Sequence, residues 1–261
     1  MSRKRKRSRK PPGRGIYILP NLCTTASLFA GFYSMISAVN GDFVGAGVAI
    51  LISGVFDFMD GKVARMTRTT SQFGLEYDSL SDLVAFGAAP ALLVYLWALQ
   101  PFGRLGWVAG FLFLACGALR LARFNVHALT RDGGHFQGLP IPAAAAMIAT
   151  TVFLFNYLGH SGPIRNHAVL FLIFALSFLM VSNFRFFSLK KTELVKTKPF
   201  NTLVGAVLVL GLVAVRPQVV LFFFGLCYVV SGPAVTLYRV HKLHQARKSG
   251  QELELKPQSQ D

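Results

Sequence analysis

Four aspartates, Asp57, Asp60, Asp78 and Asp82, stand at spacings that a helix turns into pairs. The first two are three residues apart and the last two are four apart, so each pair shares a helix face. They lie in FDFMDGKVARMTRTTSQFGLEYDSLSD, residues 56–82, which holds five of the chain's eleven acidic residues. Two antiparallel helices joined by the short link rich in Ser and Thr would bring the four carboxylates together. Carboxylates that close repel one another and cannot all stay ionised without countercharge. Hard divalent cations with oxygen ligands meet that need, Mg²⁺ first among them because it commonly bridges carboxylates and phosphates. Arg65 adds a fixed cation suited to phosphate, and Gly61, Ala64 and Gly74 let a flat or bulky group approach the backbone. A single such Asp would be read as an ion pair with Lys62, Arg65 or Arg68 at a helix end. Four at this spacing favour a metal site.

The elements that must position these acids are membrane helices. The 261 residues are 53% hydrophobic with a mean hydropathy of +0.49, too apolar for an ordinary soluble domain. Apolar segments near the length that crosses a bilayer recur at 19–39, 43–64, 79–99, 105–124, 140–158, 168–187, 202–215 and 219–240. The expected fold is therefore an all-α polytopic membrane bundle of about eight helices, with a basic tail at 1–18, a catalytic body at 19–240 and an unstructured tail at 241–261. Along the second helix Asp57 lies about 21 Å from Phe43 at 1.5 Å per residue, inside the hydrocarbon layer of about 30 Å. An ionised group there costs up to about 2.5 to 3.5 kcal/mol and marks a site or a buried pair.

Charge orients the bundle. Taking the tails and the connections after the second, fourth and sixth helices as one side, 24 of the 27 Lys and Arg residues fall on it. Only Arg104, Arg165 and Arg216 fall on the other. Cations concentrate in cytoplasmic loops, so both termini and the acidic cluster are expected to face the cytoplasm, in the inner membrane. The tail SRKRKRSRK reads as a topology anchor attracting anionic lipid rather than as a nucleic-acid patch. The first helix is too long for a removable signal peptide and lacks a cleavage site. Cys23, Cys116 and Cys227 have no metal-ligand spacing, and the six histidines are scattered.

At this level of detail the residues resemble a family. Asp57, Asp60, Gly61, Ala64, Arg65, Gly74, Asp78 and Asp82 match, gap for gap, the signature of the CDP-alcohol phosphatidyltransferases, and Pro20 to Thr24, PNLCT, is similar to their first-helix element. The resemblance implies a six-helix catalytic core, transfer of a phosphatidyl group from a CDP-linked lipid to an alcohol with release of CMP, and a homodimer. It implies that Asp57, Asp60, Asp78 and Asp82 hold two divalent ions, Mg²⁺ or Mn²⁺, with Asp82 also taking the proton of the attacking hydroxyl. Asn21, Thr24, Gly61, Ala64, Arg65 and Gly74 would contact the CDP-lipid.

Beyond the signature, LPNLCTTASLFAGFYS, ALRLARFNV, FQGLPIPAAAA and SNFRFFSLK resemble the phosphatidylserine synthase branch, in its eight-helix membrane-embedded type. That implies CDP-diacylglycerol and L-serine as substrates. Arg120 or Arg123, with Asn125 nearby, is then expected to meet the serine carboxylate, although an Arg at the cytoplasmic end of a helix equally serves as an anchor. Asn183 and Arg185 end the sixth helix at the same level. Glycerol 3-phosphate and inositol phosphate are anionic acceptors that the same arginines would suit. A cation-coupled transporter is the reading from another class, but its acids would sit at mid-depth on several helices.

Overall fold

The computed structural model describes residues 18–67, 71–129, 138–160, 162–184, 211–212 and 215–248. Among them the chain is a bundle of helices with no strand: α1 (Ile18–Val39), α2 (Phe43–Thr67), α3 (Gln72–Phe102), α4 (Arg104–Leu129), α5 (Ile141–Tyr157), α6 (His167–Val181) and α7 (Pro217–Lys248). Five of these, α1 to α4 and α7, are long and apolar enough to cross a membrane, while α5 and α6 are shorter apolar helices. The helix expected at 202–215 lies outside the described residues except for three positions, as does the basic tail over 1–17. The last helix continues to Lys248, into the segment expected to be an unstructured tail.

α1 and α2 form an antiparallel hairpin. Gly41 turns the chain at a φ of 80°, a conformation open to glycine at no steric cost, and the Asp42 carboxylate accepts from the Gly45 amide at 2.8 Å to cap the start of α2. Between the two helices Ser27 and Ser53, both buried, join their hydroxyls at 2.7 Å and also bond each other's carbonyls. Polar groups paired this way are the form in which hydroxyls are tolerated inside a membrane bundle.

α3 and α5 supply the centre. Ala85, Phe86, Leu93, Trp97 and Leu99 of α3 and Ile141, Met147 and Ile148 of α5 are all buried. α1 crosses α3 so closely that a Cβ on Gly31 would stand 2.6 Å from the Ala85 Cα. Large apolar side chains outside this core, among them Phe29, Phe111, Phe171 and Phe224, are exposed. In water such a surface would aggregate; in a bilayer it faces acyl chains.

α3 is irregular for a local reason. It widens into π-type turns over Leu83–Ala88 and Tyr95–Leu99, each running up to a proline, Pro90 or Pro101, that has no N–H to give the carbonyl four residues back. The Trp97 carbonyl that Pro101 cannot serve accepts instead from the Ile164 amide at 2.8 Å. The first of these turns begins directly after Asp82.

Besides α2, α4 and α7, which run on to Thr67, Leu129 and Lys248, two boundaries differ from the sequence reading. α3 opens at Gln72, not 79, because the Ser71 hydroxyl accepts from the Gly74 amide at 3.0 Å and caps the helix there. Asp78 is thus in its second turn. α6 ends at Val181, not 187: Ser182 leaves helical geometry at ψ 159°, and its hydroxyl takes the Leu179 carbonyl at 2.8 Å. Asn183 therefore lies past the helix, and Arg185 is outside the described residues.

Candidate active site

The acids converge at one end of the bundle. Asp57, Asp60 and Asp78 each offer a carboxylate oxygen, and these three atoms lie within 4.8 Å of one another. Asp82, one turn beyond Asp78, is outside that trio and meets Asp57 through a side-chain hydrogen-bonding contact. Asp60 is buried and Asp57 and Asp78 are half-buried. Buried like charges at this separation require a cation or shared protons. A trio of hard oxygen donors fits a divalent cation that keeps part of its hydration shell, as Mg²⁺ does.

The first helix, which carries no acid, fixes this arrangement. Thr24 is buried, and its hydroxyl donates to Asp60 Oδ2 at 2.9 Å and to the Pro20 carbonyl at 3.2 Å. The Thr24 carbonyl in turn accepts from the buried Ser81 hydroxyl at 3.1 Å, and the Thr25 hydroxyl meets that of Tyr77 at 2.9 Å. One turn of α1 therefore ties Asp60 of α2 to α3, the helix that holds Asp78 and Asp82.

Beside the acids lies a cavity of about 270 Å³. Asn21 and Thr24 of α1, Asp60, Gly61, Ala64 and Arg65 of α2, and Gly74 and Asp78 of α3 line it, together with Pro20, Ser71, Leu75 and Phe124. All six residues expected at the CDP-lipid thus border one space. The small ones keep it open: a Cβ on Gly74 would stand 3.1 Å from Ser71 Oγ and 3.4 Å from Asn21 Oδ1. Arg65 is exposed at the rim and interacts electrostatically with Asp60. Sequence reasoning missed Ser71, Leu75 and Phe124. Ser71 carried a signal, since serine is a preferred residue just before a helix, whereas Phe124 is brought to the cavity only by the packing of α4.

The three residues expected at the acceptor separate. Arg123 Nη2 donates to Asn183 Oδ1 at 2.8 Å, joining the ends of α4 and α6. Asn125 Nδ2 donates to the Ser79 hydroxyl at 2.9 Å, joining α4 to α3. Arg120 points into the bundle instead: its Nε is buried without a hydrogen-bond partner among the described residues, and its guanidinium interacts electrostatically with Tyr228 of α7 and with Asp82.

Comparison with known proteins agrees with this geometry. The model of the CDP-alcohol phosphatidyltransferase family matches residues 17–181, which contain every acid and every cavity residue described above. The chain is 38% identical over 232 residues to a CDP-diacylglycerol–serine O-phosphatidyltransferase of Helicobacter pylori strain ATCC 700392 / 26695, covering 89% of this chain and 96% of that one. It is 38% identical to an archaetidylserine synthase of Methanothermobacter thermautotrophicus over 170 residues, 64% of this chain and 69% of the relative. A CDP-diacylglycerol–serine O-phosphatidyltransferase of Mycobacterium tuberculosis strain ATCC 25618 / H37Rv is 34% identical over 200 residues, 73% of this chain and 68% of the relative. With the match running through the helices that build the acidic cavity, and the similarity to the Helicobacter protein extending over most of both chains, this chain belongs to the CDP-alcohol phosphatidyltransferase family.

Proposed function

We propose that this protein transfers the phosphatidyl group of CDP-diacylglycerol to the hydroxyl of L-serine, forming phosphatidylserine and CMP. The observation that carries this reading is the single cavity in which Asp60 and Asp78 meet Gly61, Ala64, Arg65 and Gly74. Relatives named as serine and archaetidylserine enzymes select the acceptor over glycerol 3-phosphate or inositol phosphate. The transporter reading loses its support, because the acids flank a nucleotide-sized cavity at one end of the bundle.

In this reading the nucleotide lies against Asn21, Thr24, Gly61, Ala64 and Gly74, and Arg65 holds a phosphate at the rim. Asp57, Asp60, Asp78 and Asp82 would hold two divalent ions, Mg²⁺ or Mn²⁺, whose chemistry is to neutralise the diphosphate and stabilise CMP as it leaves. Thr24 orients the Asp60 carboxylate toward that role. The serine oxygen attacks the phosphorus that bears the lipid, the bond from that phosphorus to the CMP oxygen breaks, and Asp82 accepts the hydroxyl proton. Of the three acceptor candidates we assign the serine carboxylate to Arg120, because Arg123 and Asn125 are engaged between helices. The tails, the cationic helix ends and this site face the cytoplasm in the inner membrane in our reading, and the protein works as a homodimer.

The test is CMP release by purified protein in detergent with CDP-diacylglycerol and Mg²⁺ or Mn²⁺, comparing L-serine, glycerol 3-phosphate and no acceptor, with Asp82→Asn as control. Release that depends on serine and vanishes in the variant is expected. Release with another acceptor would overturn the choice of serine while leaving the family intact.

A further inference from the structure

Phe124 is the one aromatic side chain among the described residues that line the cavity beside the acids. It stands near the end of α4, a helix that contributes no acid to the site, and 45% of its surface is exposed. The ring is therefore neither core packing nor part of the acid signature, and it keeps a face available to whatever enters the cavity.

Both sequence neighbours of Phe124 are tied down. Arg123 Nη2 donates to Asn183 Oδ1 at 2.8 Å, from α4 to the chain just past α6. Asn125 Nδ2 donates to the Ser79 hydroxyl at 2.9 Å, from α4 to α3. That hydroxyl donates to the Leu75 carbonyl at 3.0 Å, and Leu75 borders the same cavity. The backbone that carries the ring is thus anchored on either side, so a ligand meeting it has little left to order.

The other walls indicate what the ring receives. A Cβ on Gly61 would stand 3.6 Å from Arg65 Nη1, so the guanidinium lies back over α2, and a planar cation there suits phosphate. Pro20, Ala64, Gly74 and Leu75 add small or apolar surface without charge. A nucleobase needs close approach on one side and a π face on the other. We propose that Phe124 is the stacking surface for the cytosine ring of the nucleotide, which makes recognition of the base a task of α4 as well as of the signature helices. This deepens the CDP-lipid reading above and rests on it.

The experiment is calorimetric titration of purified wild type, Phe124→Leu and Phe124→Tyr in detergent at fixed free Mg²⁺, with CMP and with inorganic pyrophosphate, which has phosphates and no base. Misfolded protein lowers the stoichiometry and leaves Kd readable. Phe124→Leu keeps an apolar side chain without a π face and should raise the CMP Kd about tenfold, the scale of one stacked base. The pyrophosphate Kd should stay unchanged, and Phe124→Tyr should restore CMP binding. An unchanged CMP Kd in Phe124→Leu, an equal rise for pyrophosphate, or no restoration by Phe124→Tyr would overturn the role of Phe124. Wild-type protein that binds no CMP would instead overturn the CDP-lipid reading, so the two failures are distinct.

Discussion

Thr24 donates its hydroxyl hydrogen to the buried Asp60 carboxylate across 2.9 Å, from a helix that contains no acidic residue to the acid at the centre of the site. The bond holds Asp60 in place from α1, while the carboxylate offers an oxygen within 4.8 Å of those of Asp57 and Asp78. Residues that orient a metal-binding carboxylate in this way tune its affinity for the ion.

Thr24→Val keeps the shape of the side chain and removes the donor. The concentration of Mg²⁺ or Mn²⁺ that gives half-maximal CMP release should rise about tenfold or more, with little change in the serine KM. A metal titration of the variant against wild type checks this.

Removing divalent ions with a chelator should abolish CMP release, and adding back Mg²⁺ or Mn²⁺ should restore it. Asp57→Asn, Asp60→Asn and Asp78→Asn should each weaken metal-dependent activity by at least about tenfold to a hundredfold, since each deletes one charge from a shared site. Activity that survives exhaustive chelation would contradict the proposed metal role of the trio.

Arg120→Ala and Arg123→Ala should behave differently. Arg120→Ala is expected to raise the serine KM by about tenfold or more, because it removes a charged hydrogen-bonding partner. Arg123→Ala breaks the tie to Asn183; it should lower the melting temperature in detergent while moving the serine KM much less. Steady-state kinetics and a thermal melt on both variants separate these roles.

Ser71→Ala removes the cap of α3 and one wall of the cavity. A lost N-cap costs about 1 kcal/mol, which should appear as a lower melting temperature. The CDP-diacylglycerol KM should rise as the first turn that carries Gly74 loosens.

Gly31→Ala tests the crossing of α1 and α3, where an added Cβ would meet the Ala85 Cα at 2.6 Å. Backbone cannot yield as a flexible side chain can, so overpacking should cost about 1 to 3 kcal/mol. Activity should fall as well, since the same crossing brings Thr24, the residue that holds Asp60, to Ser81. A thermal melt and CMP release measured on the same preparation check both effects.

Much of this was legible without coordinates. The periodic pairs Asp57/Asp60 and Asp78/Asp82, the small residues between them and the apolar segments on either side follow from local rules of spacing and hydropathy, and these identified the acid cluster and the membrane bundle, while the family came from the resemblance of the signature. Local rules failed where a single cap or turn decided a boundary. Ser71 starts α3 seven residues before the apolar run suggests, and Ser182 ends α6 while the sequence is still apolar.

Only the tertiary structure decided which distant residues touch. That Thr24 reaches Asp60, and that Arg123 is taken up by Asn183 while the Arg120 Nε is buried, rest on contacts between residues 36 and 60 positions apart. Spacing along one helix specifies a face. Which face meets which is set by how the helices pack, through close approaches such as Gly31 on Ala85 and the widened turns before Pro90 and Pro101, and that depends on the whole bundle at once.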